Sequence, residues 1–206
     1  MNKTLTDLSI IKKHFEISDP KILGVLKTIN ISDWFEERPS DDHFQNLVHN
    51  IIFQQLAGKA ASTIYGRFDR LLGGQISPDN VVKFSDQQYR DVGLSWAKAK
   101  YVRDLASKVI SAEVVLDQID NLDNEEVILE LTKVKGIGRW TAEMFLLFTL
   151  RRENIFSYGD LGLKNGLSKL YGLEYPSLDQ IKMIVDRWAP FESYGSISLW
   201  HHLDNR

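Results

Sequence analysis

Apolar residues recur every three or four positions along most of the chain, and this spacing is the strongest constraint on its fold. Between positions 41 and 55 the repeat consists of Phe44, Leu47, Val48, Ile51 and Ile52. Similar repeats cover 95–110, 138–150 and 177–188. This spacing places apolar side chains on one face of an α-helix, and no stretch shows the alternation typical of a half-buried strand. The sequence therefore predicts an all-α protein of about nine or ten helices.

Capping residues mark several of the predicted helix starts. Asp19 followed by Pro20 is typical of an N-cap and a first helical residue. Ser85 with Gln88 three residues later is typical of a capping box. We therefore expect helices to begin at Pro20 and just after Ser85.

The composition excludes several kinds of site. The 206 residues include no cysteine, which rules out disulfides, thiolate zinc sites, iron–sulfur clusters and cysteine nucleophiles. With 25 Lys and Arg against 28 Asp and Glu, the formal net charge is −3, so attraction to a polyanion must come from a local patch. No apolar run reaches about 18 residues and the N-terminus lacks a secretory pattern, so we expect a cytoplasmic protein without a membrane span.

The segment 131–142 predicts a turn that binds phosphate. One helix ends at Lys133, and Gly136–Ile137–Gly138 leads directly into a second amphipathic helix. The glycines permit positive φ and a close backbone approach, while Ile137 can enter the core. The amides of the turn and of the next helix would then face an anion. A lone Gly-x-Gly turn can equally be an ordinary corner between two helices.

The residues around this turn carry a family resemblance. Lys133, Lys135 and Arg139 supply local positive charge, Val134 precedes the first glycine by two positions, and Thr141 and Ala142 are small. The segment resembles the helix–hairpin–helix of the HhH-GPD superfamily of DNA base-excision glycosylases.

The resemblance implies how the turn would contact DNA. In that family the hairpin backbone holds one DNA phosphate, here through Lys135, Gly136, Ile137, Gly138 and Arg139. It also implies a monovalent cation, Na⁺ or K⁺, on main-chain carbonyls of Thr132, Val134 and Ile137. No other cofactor is expected.

Asp160 is the candidate catalytic carboxylate. It lies 22 residues beyond Gly138, at the end of a loop and before a helix with Leu163 and Leu167 on one face. Its position alone is typical of an N-cap. The resemblance implies an essential Asp at this distance from the hairpin. Such a carboxylate would stabilise oxocarbenium character on the sugar or activate the attacking water.

Trp140 indicates which reaction the chain would catalyse. Bifunctional members of the family carry a Lys two residues after the second hairpin glycine, where it forms a Schiff base with the sugar. Trp140 cannot form an imine, so a monofunctional enzyme is expected. Positions 136–142, together with 44–61 and 92–100, resemble the DNA-3-methyladenine glycosylase II branch. The resemblance covers about residues 19–200 and implies the short form without the N-terminal β-domain.

The resemblance also implies a pocket for an extruded base. Trp140 would stack a cationic purine through a cation–π contact, although a Trp in a helix is commonly a core residue. Phe191 matches a second pocket aromatic, and Tyr158 precedes the catalytic loop's Asp. Met144 stands where some relatives have Tyr, and Glu192 stands where a basic residue is common, which leaves the range of bases open.

A wedge must fill the gap that an extruded base leaves in the duplex. By resemblance Leu56 is this wedge and Gln55 its neighbour. The alternative is that Leu56 closes the core at a helix end.

These observations combine into one expectation. The fold would be a two-lobed, all-α HhH-GPD glycosylase with a central cleft. Residues 38–150 would form a barrel-like lobe ending in the hairpin, and 1–37 plus 151–206 a second lobe carrying Asp160. The implied function is release of alkylated purines (3-methyladenine, 7-methylguanine) from duplex DNA by base flipping, for base excision repair. The expected form is a monomer, cytoplasmic, and nucleoid-associated if prokaryotic.

Two other hypotheses about the function stay open. One is a glycosylase for hypoxanthine or ethenoadenine, which the departures at Met144 and Glu192 could produce. The other is a non-catalytic helix–hairpin–helix module that binds DNA without releasing a base.

Overall fold

The computed structural model describes residues 5–31, 34, 42–56 and 58–204. All regular structure in these ranges is helical, as the apolar spacing predicts. The α-helices are α1 (Leu8–Ser18), α2 (Pro20–Leu26), α3 (His43–Phe53), α4 (Gly58–Leu71), α5 (Pro78–Val81), α6 (Asp86–Asp91), α7 (Trp96–Ile110), α8 (Asn124–Thr132), α9 (Arg139–Met144), α10 (Leu161–Tyr171), α11 (Leu178–Val185) and α12 (Glu192–Asp204). None of these helices has the length and apolar composition needed to cross a bilayer.

The predicted helix starts are confirmed. The Asp19 carboxylate accepts the amides of Lys21 and Ile22, with Pro20 as the first residue of α2. Ser85 and Gln88 form a reciprocal capping box at α6. The described helices outnumber the nine or ten expected because short segments such as α5 and α6 form separate helices.

The helix predicted over 138–150 is divided into two kinds of helix. Six α-helical residues of α9 are followed by a π-helical turn, Phe145–Thr149. The predicted apolar face is confirmed, since Ala142, Phe145 and Leu146 are fully buried. The π turn has hydrogen bonds between residues five positions apart, so it is wider than the α-helix before it, although the same apolar face continues through both.

The chain divides into two compact units, Met1–Glu37 with Leu146–Arg206, and Arg38–Phe145. The second unit therefore ends at Phe145 and not at Leu150, where the expected lobe ended. The reason is that residues after Phe145 bond and pack within the first unit. The Leu146 carbonyl accepts the Arg152 amide at 2.9 Å, and the Phe148 ring stacks on Trp200 with centroids 5.9 Å apart.

The first unit is built around α12, which is buried along most of its length. A Cβ on Gly166 of α10 would lie 2.7 Å from the Leu199 carbonyl, so α10 and α12 pack backbone to backbone. The hydroxyls of Ser196 and Ser198 donate to the carbonyls of Ile155 and Tyr194, at 3.0 and 2.7 Å. These bonds satisfy polar groups inside the helix packing.

The second unit packs α3, α7 and the α8–α9 pair around its own core. Fully buried side chains from these helices include Leu47, Ile51, Val102, Leu105, Leu131 and Ala142. This core fixes the ends of α8 and α9, and therefore the turn that joins them.

Candidate functional site

The turn between α8 and α9 requires a glycine at its first position. Gly136 has φ of +85°, in the left-handed region. A Cβ added there would lie 2.1 Å from a ring carbon of Tyr101 on α7, so the backbone passes directly against that ring. Ile137 points into the core with 4% exposure, as the sequence predicts. Its amide donates to the Val134 carbonyl at 3.1 Å, which closes the turn.

Gly138 differs from Gly136 and from the expected positive φ. Its φ is −92° and ψ 175°, an extended conformation open to any residue. It is the N-cap of α9, and no described side chain caps the first amides there. A Cβ added at Gly138 would meet nothing within 4 Å. The fold itself therefore sets no requirement for glycine at this position.

Two of the three basic side chains of the predicted positive patch, Arg139 and Lys133, pair with acidic side chains of the chain itself. The Nε of Arg139 donates to Glu143 and its Nη1 to Glu125, each at 3.0 Å. The hydrogen bond from Arg139 holds the pKa of Glu125 below its usual value. Lys133 Nζ lies 2.7 Å from a Glu130 carboxylate oxygen. Lysine and arginine spacing alone did not reveal these acidic partners on α8 and α9.

The backbone of the turn is also tied down. The Lys135 amide donates to the Asp104 carboxylate at 2.8 Å. Lys108 Nζ donates to the Lys133 carbonyl. The turn is thus held from α7 by two side chains in addition to the Tyr101 ring.

Asp160 is the N-cap of α10, and it is buried. The residue is 8% exposed, and its Oδ1 accepts the Leu163 amide at 2.7 Å. The same oxygen accepts the indole N–H of Trp200 at 3.2 Å. A Cβ on Gly162 would lie 3.0 Å from Oδ1 and 3.1 Å from the indole nitrogen, so a small residue is needed beside this bond. The capping interpretation is correct, and it fixes the carboxylate in one orientation.

Trp200 is a site residue that the sequence did not reveal. It lies 40 positions beyond Asp160, near the end of α12. Its ring stacks on Phe148 at 5.9 Å and on Trp34 at 6.3 Å between centroids. An aromatic near a chain end carries no local signal of its partner, so only the packing of α12 against α10 identifies it.

Two predicted pocket residues belong to the unit Arg38–Phe145. Trp140 lies in the first turn of α9 and is 46% exposed, which excludes the alternative of a core tryptophan. Met144 is half-buried at the last position of the same helix.

The other two predicted pocket residues belong to the unit containing Asp160. Phe191 is buried, with the His14 ring edge-on at 5.2 Å. Tyr158 is half-buried, its ring 4.9 Å from that of Phe156. Burial, followed by the charges of Asp186 and Glu192, raises the pKa of Tyr158.

The predicted wedge lies on an exposed turn that follows α3. Leu56 is 39% exposed, which excludes the alternative that it closes the core. Gln55 has φ of +55°, a left-handed conformation that is uncommon for a residue other than glycine.

Comparison with known proteins identifies the family. Residues 48–190 match the HhH-GPD superfamily base excision DNA repair protein family. The DNA-3-methyladenine glycosylase of Saccharomyces cerevisiae is 35% identical over 184 residues, covering 82% of this chain and 61% of the yeast protein. The chain likewise spans only 56% of the length of the Bacillus subtilis relative YfjP.

Two solved structures share this fold over nearly the whole chain. The DNA-3-methyladenine glycosidase of Bacillus halodurans has a TM-score of 0.75 and 33% identity, covering 91% of this chain and 90% of its own. The 3-methyladenine DNA glycosylase Mag1 of Schizosaccharomyces pombe, solved with abasic DNA, has a TM-score of 0.75 and 28% identity, covering 93% and 95%.

Proposed function

The chain belongs to the HhH-GPD superfamily of base excision DNA repair proteins, and from this we propose that it is a monofunctional DNA glycosylase. Its substrates would be alkylated purines such as 3-methyladenine and 7-methylguanine in duplex DNA, for base excision repair. Relatives named as 3-methyladenine glycosylases support this choice of substrate. The observation that carries the proposal is the Asp160 carboxylate, deeply placed and held by two hydrogen-bond donors.

The proposed chemistry needs one well-oriented carboxylate. As the N-glycosidic bond breaks, positive charge develops on the deoxyribose, and a fixed anion beside C1′ lowers the energy of that state. The same carboxylate can take a proton from the attacking water. An alkylated purine is already cationic, so it leaves without a strong general acid. Leu163 and Trp200 both donate to Oδ1 of Asp160 and so fix the orientation of the carboxylate that would serve this role.

Trp140 supports a monofunctional reaction. An indole nitrogen cannot form the Schiff base that a lysine at this position would form. Its half-exposed ring suits stacking on a cationic purine. From the family resemblance we propose Trp140, Met144, Tyr158 and Phe191 as the residues that would contact an extruded base.

The hairpin would hold a DNA phosphate through its backbone. Thr132 is the last residue of α8, where terminal carbonyls have no partner within the helix. The Val134 carbonyl accepts one amide and keeps a second lone pair. These carbonyls, with that of Ile137, are suited to a Na⁺ or K⁺ ion. Such an ion would offset the negative charge of the phosphate.

Duplex DNA containing a damaged base is the proposed partner, and a monomer is the proposed form. The enzyme would act wherever the chromosome lies, at the nucleoid in the cytoplasm of a prokaryote.

A base-release assay tests the proposal. Methylated DNA and oligonucleotides carrying hypoxanthine or ethenoadenine are incubated with the wild type and with Asp160→Asn. Asparagine still caps a helix, so the variant should fold and bind DNA. Base release should fall about 10²–10⁴-fold, the usual contribution of a positioned acid or base.

Each other result has a definite meaning. DNA binding without release of any base would identify a non-catalytic module. Release of hypoxanthine or ethenoadenine alone would identify another base specificity. Full activity of Asp160→Asn would remove the carboxylate from the mechanism. Borohydride should trap no protein–DNA adduct, and a trapped species would contradict the monofunctional assignment.

A further inference from the structure

The exposed turn 54–56 is joined to the hairpin by one side chain. Gln54 Nε2 donates to the Gly136 carbonyl at 3.1 Å and to the Thr141 hydroxyl at 3.3 Å. Gly136 lies in the hairpin turn and Thr141 in the helix that follows it. A side-chain amide has two N–H donors, so these two bonds use both of them.

A second side chain holds the same turn from α7. Lys98 Nζ donates to the carbonyls of Ile52 and Gln54, at 2.7 and 2.6 Å. Terminal carbonyls of a helix lack partners within it, and a cation near them is favourable. Burial lowers the pKa of Lys98, which agrees with an ammonium group enclosed by protein.

These contacts surround a backbone conformation that needs support. A left-handed residue other than glycine persists only where its surroundings over-determine it. Gln55 has φ of +55° and is exposed, as is Leu56. The hydrogen bonds of Gln54 and Lys98 fix the side chain and the carbonyl of the residue that directly precedes Gln55. They therefore supply the constraint that keeps Gln55 and Leu56 projecting from the turn.

We propose that Gln54 and Lys98 are positioning residues that lock the turn 54–56 to the hairpin. The wedge and the phosphate-binding backbone would then act on the duplex as one rigid element. A phosphate held at Gly136 would give the wedge a fixed point from which to open the base stack. This inference rests on the proposed function, since it assigns the geometry that base extrusion requires.

The test compares lesions that are hard and easy to extrude. The substrates are duplex oligonucleotides carrying the base that the wild type releases fastest, placed opposite its complement or opposite a mismatched base. Gln54→Met keeps the side-chain length and removes both donors. Gln87→Met is the matched control, because Gln87 Nε2 donates to Asp91 at 2.8 Å on an exposed face of α6.

Single-turnover release by Gln54→Met should slow about tenfold on the complementary pair, as expected for two lost hydrogen bonds. The loss should fall to less than about threefold opposite the mismatch, because a mismatched base is easier to extrude. Gln87→Met should match the wild type on both. Equal losses on both duplexes, or no loss, would overturn the positioning role.

A second readout separates this inference from the proposed function. A duplex with 2-aminopurine beside an abasic-site analogue reports unstacking by fluorescence and requires no base release. Gln54→Met and Lys98→Met should give a smaller fluorescence rise at saturation than the wild type, and Lys100→Met, on the exposed side of α7, should not. If the wild type unstacks this duplex but releases no base, the proposed glycosylase activity is refuted and the positioning role of Gln54 and Lys98 is not. If Gln54→Met gives the same fluorescence rise as the wild type, the positioning role of Gln54 is refuted and the proposed glycosylase activity is not.

Discussion

Trp200 donates a hydrogen bond from its indole nitrogen to Oδ1 of Asp160 across 3.2 Å. The same oxygen accepts the Leu163 amide at 2.7 Å. One bond is local and belongs to the helix cap, whereas the other comes from a helix 40 positions further along the chain. The orientation of the carboxylate is therefore set jointly by α10 and α12.

We expect Trp200→Phe to slow base release about tenfold, the typical cost of one hydrogen bond to a charged group. Phenylalanine keeps the stacking on Phe148 and Trp34, so the thermal midpoint should change little. The measurement is a single-turnover rate in a double-mutant cycle with Asp160→Asn. Because Trp200 acts through Asp160, its loss should have little further effect in the Asp160→Asn background. Equal effects in both backgrounds would indicate a separate structural role.

The two hairpin glycines should respond differently to alanine. Gly136→Ala forces a Cβ against Tyr101 at a positive φ, so we expect it to lower the free energy of unfolding by about 1–3 kcal/mol. Gly138→Ala has open space and an ordinary φ, so stability should change by less than about 0.5 kcal/mol. Urea unfolding of both variants checks this contrast.

Because Gly138→Ala should leave stability almost unchanged, its effect on DNA affinity would report contact between DNA and the turn. The added methyl group would stand where a phosphate approaches the turn, so affinity should fall equally for every DNA sequence, since phosphate contacts carry no base information. Fluorescence anisotropy with several unrelated duplexes measures the effect. A loss confined to one sequence would contradict phosphate binding at this turn.

Glu125→Gln should strengthen DNA binding. The variant releases Arg139 from an exposed ion pair, so stability should change by less than about 0.5 kcal/mol. We expect affinity to rise a few-fold, and the slope of log K against log salt to steepen by about one. Glu16→Gln on α1 makes the same change in net charge and is the control. If both variants behave alike, net charge and not Arg139 is responsible.

Glu192 should make stability depend on pH. Its Oε2 is buried, and no partner for it lies within the described residues. Burial, then Asp186, raises the pKa of Glu192 above its usual value, while His14 opposes this shift. A raised pKa means that the fold favours the protonated form. The stabilising contribution is therefore complete below the usual Glu range and is lost as pH rises through the raised value.

Glu192→Gln should consequently melt higher than the wild type at pH 7, by about 2–4 °C if one buried unpaired oxygen is relieved. The difference should disappear near pH 4. Melting curves at both pH values, with Glu16→Gln alongside, measure it. A difference that is the same at both pH values would exclude titration of Glu192 as its cause.

The sequence by itself determined the features that depend on near neighbours. The all-α fold, the caps at Asp19 and Ser85, the buried Ile137 and the capping position of Asp160 all follow from residues within about four positions of each other. Helical periodicity and capping are local, so a single sequence predicts them well. The family resemblance added the spacing between the hairpin and Asp160.

Only the tertiary structure decided which distant side chains act on these local features. Trp200 reaches Asp160 across 40 positions, and Gln54 reaches Gly136 across 82. The pair of Arg139 with Glu125 and the tyrosine ring against Gly136 belong to the same class. Such pairs form because packed helices bring remote residues within hydrogen-bond distance. Neither member carries a signal for the other in the chain, because a hydrogen bond acts over about 3 Å in space, whatever the separation in sequence.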